Sequence, residues 1–167
     1  MRWRPAPGPD LLGLDIAQEF RMTDADLAAA GWTVMHDDGF IQLIGPMWHR
    51  ELDGIHEFAI LGQEKHRNRR GVVQGGAVMT LADRSCGIGA RLAAGVEALA
   101  TVQMDTYFVD AARIGDLIVS RPRAVRTTKS LIFMTTEVSV GDNQVVATAH
   151  GVFKIVRDRT DRGRQPS

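Results

Sequence analysis

The 167-residue chain balances 20 lysines and arginines against 20 aspartates and glutamates. That zero balance argues against a dedicated nucleic-acid or membrane-surface binder, which would usually carry a basic excess. A composition 44% hydrophobic and 24% charged is that of an ordinary globular protein, long enough for one domain with a substantial core. One cysteine, Cys86, excludes an internal disulfide and a cysteine-based metal cluster. No apolar run approaches the roughly 18 residues that span a bilayer, and "MRWRPAPGPD" has arginines with no apolar stretch behind them. The expectation is a soluble, cytoplasmic protein.

In chain order, the proline-rich start through Pro9 is expected to be poorly ordered. "TDADLAAAGW" reads as a short helix: Thr23 is a cap, Asp24 and Asp26 suit the positive end of the helix dipole, and Gly31 suits the stop. "GFIQLIGPMWHR" and "GIHEFAILGQ" read as apolar strands, broken by a turn ending in Asp53-Gly54. The polar loop "EKHRNRRG" follows.

From Gly75 to about Ala94 the pattern changes. Apolar residues fall on nearly every face, and Gly95 follows as a C-terminal stop. Such a helix is expected to be buried all round. "LATVQMDTYFVD", "GDLIVSRPRAVRTT", "LIFMTTEVSV" and "QVVATAHGVFKIVR" then read as strands. Turn signals stand at Ile114-Gly115-Asp116, Thr127 to Ser130 and Gly141-Asp142-Asn143. Pro122 implies an edge or a bulge in its strand. Two strands, one long helix and four strands joined by short turns predict an α+β protein. Its curved antiparallel sheet would cover one central helix. The expected organisation is an N-terminal extension with a short helix (1–37), one domain (38–156) and a disordered tail (157–167).

Asn68, Gly71, Gln74-Gly75-Gly76 and Asp83 carry a resemblance. The hotdog-fold acyl-CoA thioesterases, in particular the phenylacetate-pathway subgroup, have an asparagine, a glycine, His-Gly-Gly at the mouth of the central helix, and an aspartate eight residues past the first glycine of that pair. "GPMWHRELDGIHEFAI" is similar to that family's first hairpin and "TVQMDTYFVDAARIGD" to its strand and turn after the helix. The similarity spans roughly residues 38 to 156. The departure is Gln74, where the subgroup usually has histidine.

The resemblance implies a hotdog fold and hydrolysis of an acyl-CoA to free acid and coenzyme A, with no metal and no cofactor. It implies Asp83 as general base or nucleophile, the Gly75 N–H as the group polarising the thioester carbonyl, and Asn68 as an orienting group. Gln74 lies beside them, and Thr101 stands where the family often has a hydroxyl near the reacting group. It also implies a homodimer with shared sites, which can pair again into a homotetramer.

The chemistry suits the residues. A thioesterase needs a base or nucleophile and a donor for the developing oxyanion. A helix N-terminus offers unsatisfied N–H groups and partial positive charge, and glycines at 75 and 76 admit close approach. Gly76, Thr80, Asp83 and Gly87 share one small, polar stripe at helical spacing, so Gly76 and Thr80 are candidates for substrate contact. Gly75 and Asp83, eight residues apart, are separated by about 12 Å along the helix axis. One chain therefore does not bring both to one carbonyl, and a second copy of the helix alongside would.

Other readings are weaker. His36, His49, His56, His66 and His150 show no metal-ligand spacing and read as surface or strand residues. "GVVQGGAV" has alanine where a phosphate-binding loop needs lysine, and "DRSCG" lacks the first glycine of a nucleophile elbow. Cys86 reads as a small buried hydrophobe. In "RPRAVRTTKS", Arg126, Lys129 and Ser130 are candidates for the coenzyme A phosphates, with Arg69 and Arg70 as the alternative. The rivals are a hotdog enoyl-CoA hydratase or dehydratase, which would want a catalytic histidine, and a non-catalytic acyl-CoA sensor, which could lack Asp83.

Overall fold

A helix capped at Thr23 is the first element of the computed structural model, which describes residues 22–141 and 144–156. The expectations for the proline-rich start, for Asp142-Asn143 and for the tail lie outside these residues. In helix α1 (Asp24–Ala29) the Thr23 hydroxyl accepts the Asp26 N–H at 3.2 Å, and the Asp26 carboxylate accepts the Thr23 N–H at 2.8 Å. This reciprocal cap satisfies two donors that the helix itself cannot. Gly31 (φ +81°) then turns the chain.

Strand β1 (Thr33–Met35), helix α2 (Gly39–Ile44), and strands β2 (Met47–Leu52) and β3 (Ile55–Leu61) follow. "GFIQLI" is thus a helix where its apolar run read as a strand. The reason is its period: Ile41 and Ile44 pack on the core, while Phe40 and Leu43, 61% and 70% exposed, face out. β1 was missed because three residues carry too little pattern. The β2–β3 turn at Asp53 (φ +52°) and Gly54 (φ +78°) is as expected.

A single 3₁₀ turn, Glu64–His66, interrupts the polar loop and buries His66, which was expected at the surface or in a strand. Its Nδ1 accepts the Gln63 N–H at 3.1 Å and its Nε2 reaches the Ile44 carbonyl at 2.7 Å. The ring therefore ties the loop to the end of α2, and burial holds its pKa below the ordinary value.

The long helix α3 (Gly75–Ala94) ends at Gly95 in the left-handed conformation, and strands β4 (Leu99–Phe108), β5 (Leu117–Thr127), β6 (Leu131–Val140) and β7 (Gln144–Ile155) complete the chain. The seven strands form one sheet in the order β1-β2-β3-β5-β6-β7-β4, with every pair antiparallel. β4 leaves α3 and crosses to the far edge beside β7. β3 pairs with β5 only as far as Ser120, so Pro122 lies where its strand has an open side.

Strand alternation puts Met47, Phe58, Ile60, Ile118 and Val138 on the sheet face that packs against Val78, Leu81 and Ala82 of α3. Trp48, Ala59 and Val119 face the other way, where Leu27 of α1 and Trp32 cover them. Two groups of buried polar side chains are paired. Ser85 of α3, Ser120 and Thr136 form a buried chain of hydroxyls at 2.7 Å each. On the α1 side, Glu57 is only 4% exposed and joins Arg50 and Arg121. Burial alone would raise its pKa, but the hydrogen bonds and charges of the two guanidiniums outweigh that and hold it below the ordinary glutamate value.

One expectation fails for α3. A single sheet covers one side of a helix, so the opposite stripe is open: Gly76 and Met79 are exposed, and Thr80, Asp83 and Gly87 are half-buried. No helix among the described residues is long and apolar enough to cross a membrane.

Candidate active site

The open stripe of α3 and edge strand β4 build the candidate site. At its N-terminal end, the Gln74 N–H donates to the His66 carbonyl at 2.7 Å, which fixes the approach to the helix. Gln74 is the N-cap but makes no side-chain cap, so the first helical N–H groups are left to an outside acceptor. Gly75 packs close to β4: a Cβ there would lie 3.1 Å from the ring of Phe108, which is itself 51% exposed and would have to shift. At Gly76 an added Cβ would meet nothing closer than 4.0 Å.

Asn68 lies just before this entrance. Its Oδ1 accepts the N–H of Arg70 at 2.8 Å and of Val72 at 3.4 Å, closing a turn in which Gly71 takes φ +82°. Asn68 and Gln74 line one open cleft of about 480 Å³ with Arg67, Arg69 and Arg70. Arg67 is engaged by Glu64 at 2.9 Å.

Two turns further along, the Thr101 hydroxyl donates to Asp83 Oδ1 at 3.0 Å. Thr101 sits at a β-bulge in the β4–β7 ladder, between its pairing with Phe153 and that of Gln103 with Val152. Such irregularities re-aim a side chain. Thr80 does not join them, because its hydroxyl turns back to the Gly76 carbonyl at 2.8 Å. A separate cavity of about 250 Å³ opens beside Asp83 and Thr101 and runs on past Gly87. The structure thus unites Asn68 with Gln74 and Thr101 with Asp83, in two different hollows.

Burial, with the Asp83 charge adding to it, pushes the neighbouring Cys86 thiol up to about 12, so it stays protonated and is not a nucleophile. Arg126, Lys129 and Ser130 belong to the β5–β6 hairpin tip, closed by Thr128 and by an Ile155 N–H to Ser130 carbonyl bond of 2.9 Å. None of the three lines the Asp83 cavity, whereas Arg69 and Arg70 do line the Asn68 cleft. Sequence reasoning missed Arg84, Arg91, Glu97 and Phe153, which line the Asp83 cavity. The signal for Arg91 was available, since it continues the stripe four residues beyond Gly87.

The family profile of the thioesterase superfamily matches residues 70–147, from the Asn68 turn into β7. A Pseudomonas aeruginosa protein named as a candidate esterase, PA0474, is 31% identical over 120 residues, which cover 69% of this chain and 87% of that protein. The chain belongs to the thioesterase superfamily. Its architecture is the hotdog fold, and solved structures agree. Zebrafish thioesterase superfamily member 2 superposes with a TM-score of 0.65 at 20% identity, covering 72% of this chain and 88% of its own. The smu.793 protein of Streptococcus mutans, solved bound to acetyl-CoA, superposes with a TM-score of 0.58 at 20% identity, covering 65% and 86%. The matched segment contains Gln74, Gly75, Asp83 and Thr101.

Proposed function

We propose that this protein is an acyl-CoA thioesterase that releases a free acid and coenzyme A, with Asp83 as its reacting carboxylate. The observation that carries this reading is the Thr101–Asp83 hydrogen bond on the open face of α3, beside a cavity.

The site is shared between two copies. β4 is a ten-residue edge strand paired on one side only, and its Val102 and Tyr107 are 59% and 63% exposed. Long apolar edges of this kind call for a cover. A second copy adding its own β4 would bring α3 beside α3. Gly75 of one copy then faces Asp83 of the other, which closes the 12 Å gap of about eight helical rises. Two such dimers can pair into a tetramer.

In the reaction, Asp83 takes the proton of a water that attacks the acyl carbon, or attacks that carbon itself. The helix N–H at Gly75 stabilises the oxyanion. The C–S bond breaks, the thiolate of coenzyme A leaves and is protonated, and the acid is released. Gln74 orients the carbonyl or the loop without titrating. Arg69 and Arg70 beside Asn68 suit the coenzyme A phosphates, with Arg126, Lys129 and Ser130 of the hairpin tip as the second set. The reading places the protein in the cytoplasm, where acyl-CoA is made and used.

A panel of acyl-CoAs assayed for thiol release tests the activity, and Asp83→Asn should lower kcat by at least about a hundredfold. Retained turnover would make Asp83 structural. Asn68→Ala and Asp83→Asn chains, each nearly inactive alone, should recover roughly a quarter of wild-type activity when co-expressed in equal amounts, because half the dimers are mixed and each has one intact site. Confirmed heterodimers without recovery would place the site within one chain.

A further inference from the structure

Helix α3 rests on the sheet largely through small apolar groups, among them Ala77, Val78, Leu81, Ala82 and Cys86. Such contacts are individually weak and non-directional. They hold a helix against a sheet but set its rotation about its own axis only loosely. One contact on this side is directional. Ser85 Oγ lies 2.7 Å from Ser120 Oγ of β5, and both residues are fully buried. Ser85 also donates to the Ala82 carbonyl at 3.1 Å, which belongs to the peptide bond leading into Asp83. With that proton committed, Ser120 donates to Ser85 and Thr136 donates to Ser120. Each hydroxyl then gives its single proton once. Gly89, one turn beyond Ser85, seats the helix close to β5, since an added Cβ there would lie 3.1 Å from Pro122.

Ser85 comes two residues after Asp83, about 200° round the helix. One therefore faces the sheet while the other faces the open side. At the rim of a helix, about 5–6 Å from its axis, a turn of about 10° moves a side-chain atom by about 1 Å. The Thr101–Asp83 bond is 3.0 Å long, and a shift of that size along it would take it out of hydrogen-bonding range.

We infer that Ser85 and Ser120 are positioning residues for the reaction: their hydrogen bond fixes the rotation of α3 and so aims Asp83 at Thr101. The inference rests on the thioesterase reading above, with Asp83 as the reacting carboxylate. Ser120→Ala severs the link without orphaning a donor, because Ser85 keeps the Ala82 carbonyl and Thr136 keeps the Glu137 carbonyl at 3.3 Å. On the acyl-CoA that wild type hydrolyses fastest, it should lower kcat about tenfold and leave KM within about twofold. Ser85→Ala should match it. Thr136→Val removes a hydroxyl that is also buried, but one that joins β6 to β5 and does not touch α3. It should leave kcat near the wild-type value. In a Thr101→Val background, Ser120→Ala should cost less than about threefold, because both changes break one arrangement.

Thermal melts set an assay temperature at which the variants are folded, and if one serine variant does not fold the other decides. Wild-type kcat in the folded serine variants overturns the inference and leaves the thioesterase reading standing. So does an equal loss in Thr136→Val, the result of a purely structural role, or a tenfold loss that persists beside Thr101→Val. If wild type hydrolyses no acyl-CoA, the underlying reading falls and takes this one with it.

Discussion

Replacing Thr101 with valine removes one hydroxyl and almost nothing else. Valine matches threonine in shape and favours strand backbone, so β4 and its bulge are expected to survive. The lost bond is 3.0 Å long and ends on a carboxylate. Hydrogen bonds to charged groups contribute about 1.5–3 kcal/mol when they are made fully. The pair lies on the open side of α3, so its contribution to folding should be less than about 1 kcal/mol. In the closed site, with water excluded, orientation of Asp83 should use the larger figure. At about 1.4 kcal/mol per tenfold, Thr101→Val should reduce kcat by roughly 10- to 150-fold, with KM little changed. Thr101→Ser retains the hydroxyl and should recover most of the loss. The measurement is steady-state thiol release from acyl-CoA, with thermal melts of each variant. Wild-type kcat in Thr101→Val, or a loss matched by a fall in Tm and not restored by serine, would refute the positioning role of Thr101.

Two further expectations concern folding. Glu57 has a folded-state pKa below its ordinary value near 4.5, so it adds stability above that pH and loses it as pH falls through the folded-state value. Glu57→Gln should therefore cost about 1–3 kcal/mol at pH 7, and urea melts should find the gap to wild type narrowing below about pH 4.5; a gap independent of pH would count against the ion-pair argument. Gly62→Ala should also destabilise, because its Cβ would lie 2.5 Å from the Arg113 carbonyl oxygen while Gly62 is pinned to Asp116 and Gly115 by backbone bonds of 2.8 Å. Overpacking of this kind costs about 1–3 kcal/mol, and an unshifted melting curve would contradict it.

The sequence alone determined what local chemistry dictates. Gly95 ends α3 because a left-handed stop is a local need. Asp53-Gly54 fixes the β2–β3 hairpin by the same logic. The polar stripe through Asp83 follows from 3.6-residue periodicity, and so does the distance that separates it from Gly75. Pattern misled at "GFIQLI", whose six residues are too few for strand and helical spacing to differ clearly, and at α3, whose apolar faces did not mean burial all round. Tertiary structure decided the rest. Nothing local says that β4 runs at the far edge beside β7, leaving it open and bringing Thr101 against Asp83, eighteen positions earlier. Nothing local says that α3 is covered on one side only, or that Arg84 is paired with Asp37. Those facts depend on strand order, register and a bulge, which arise when distant segments share one core.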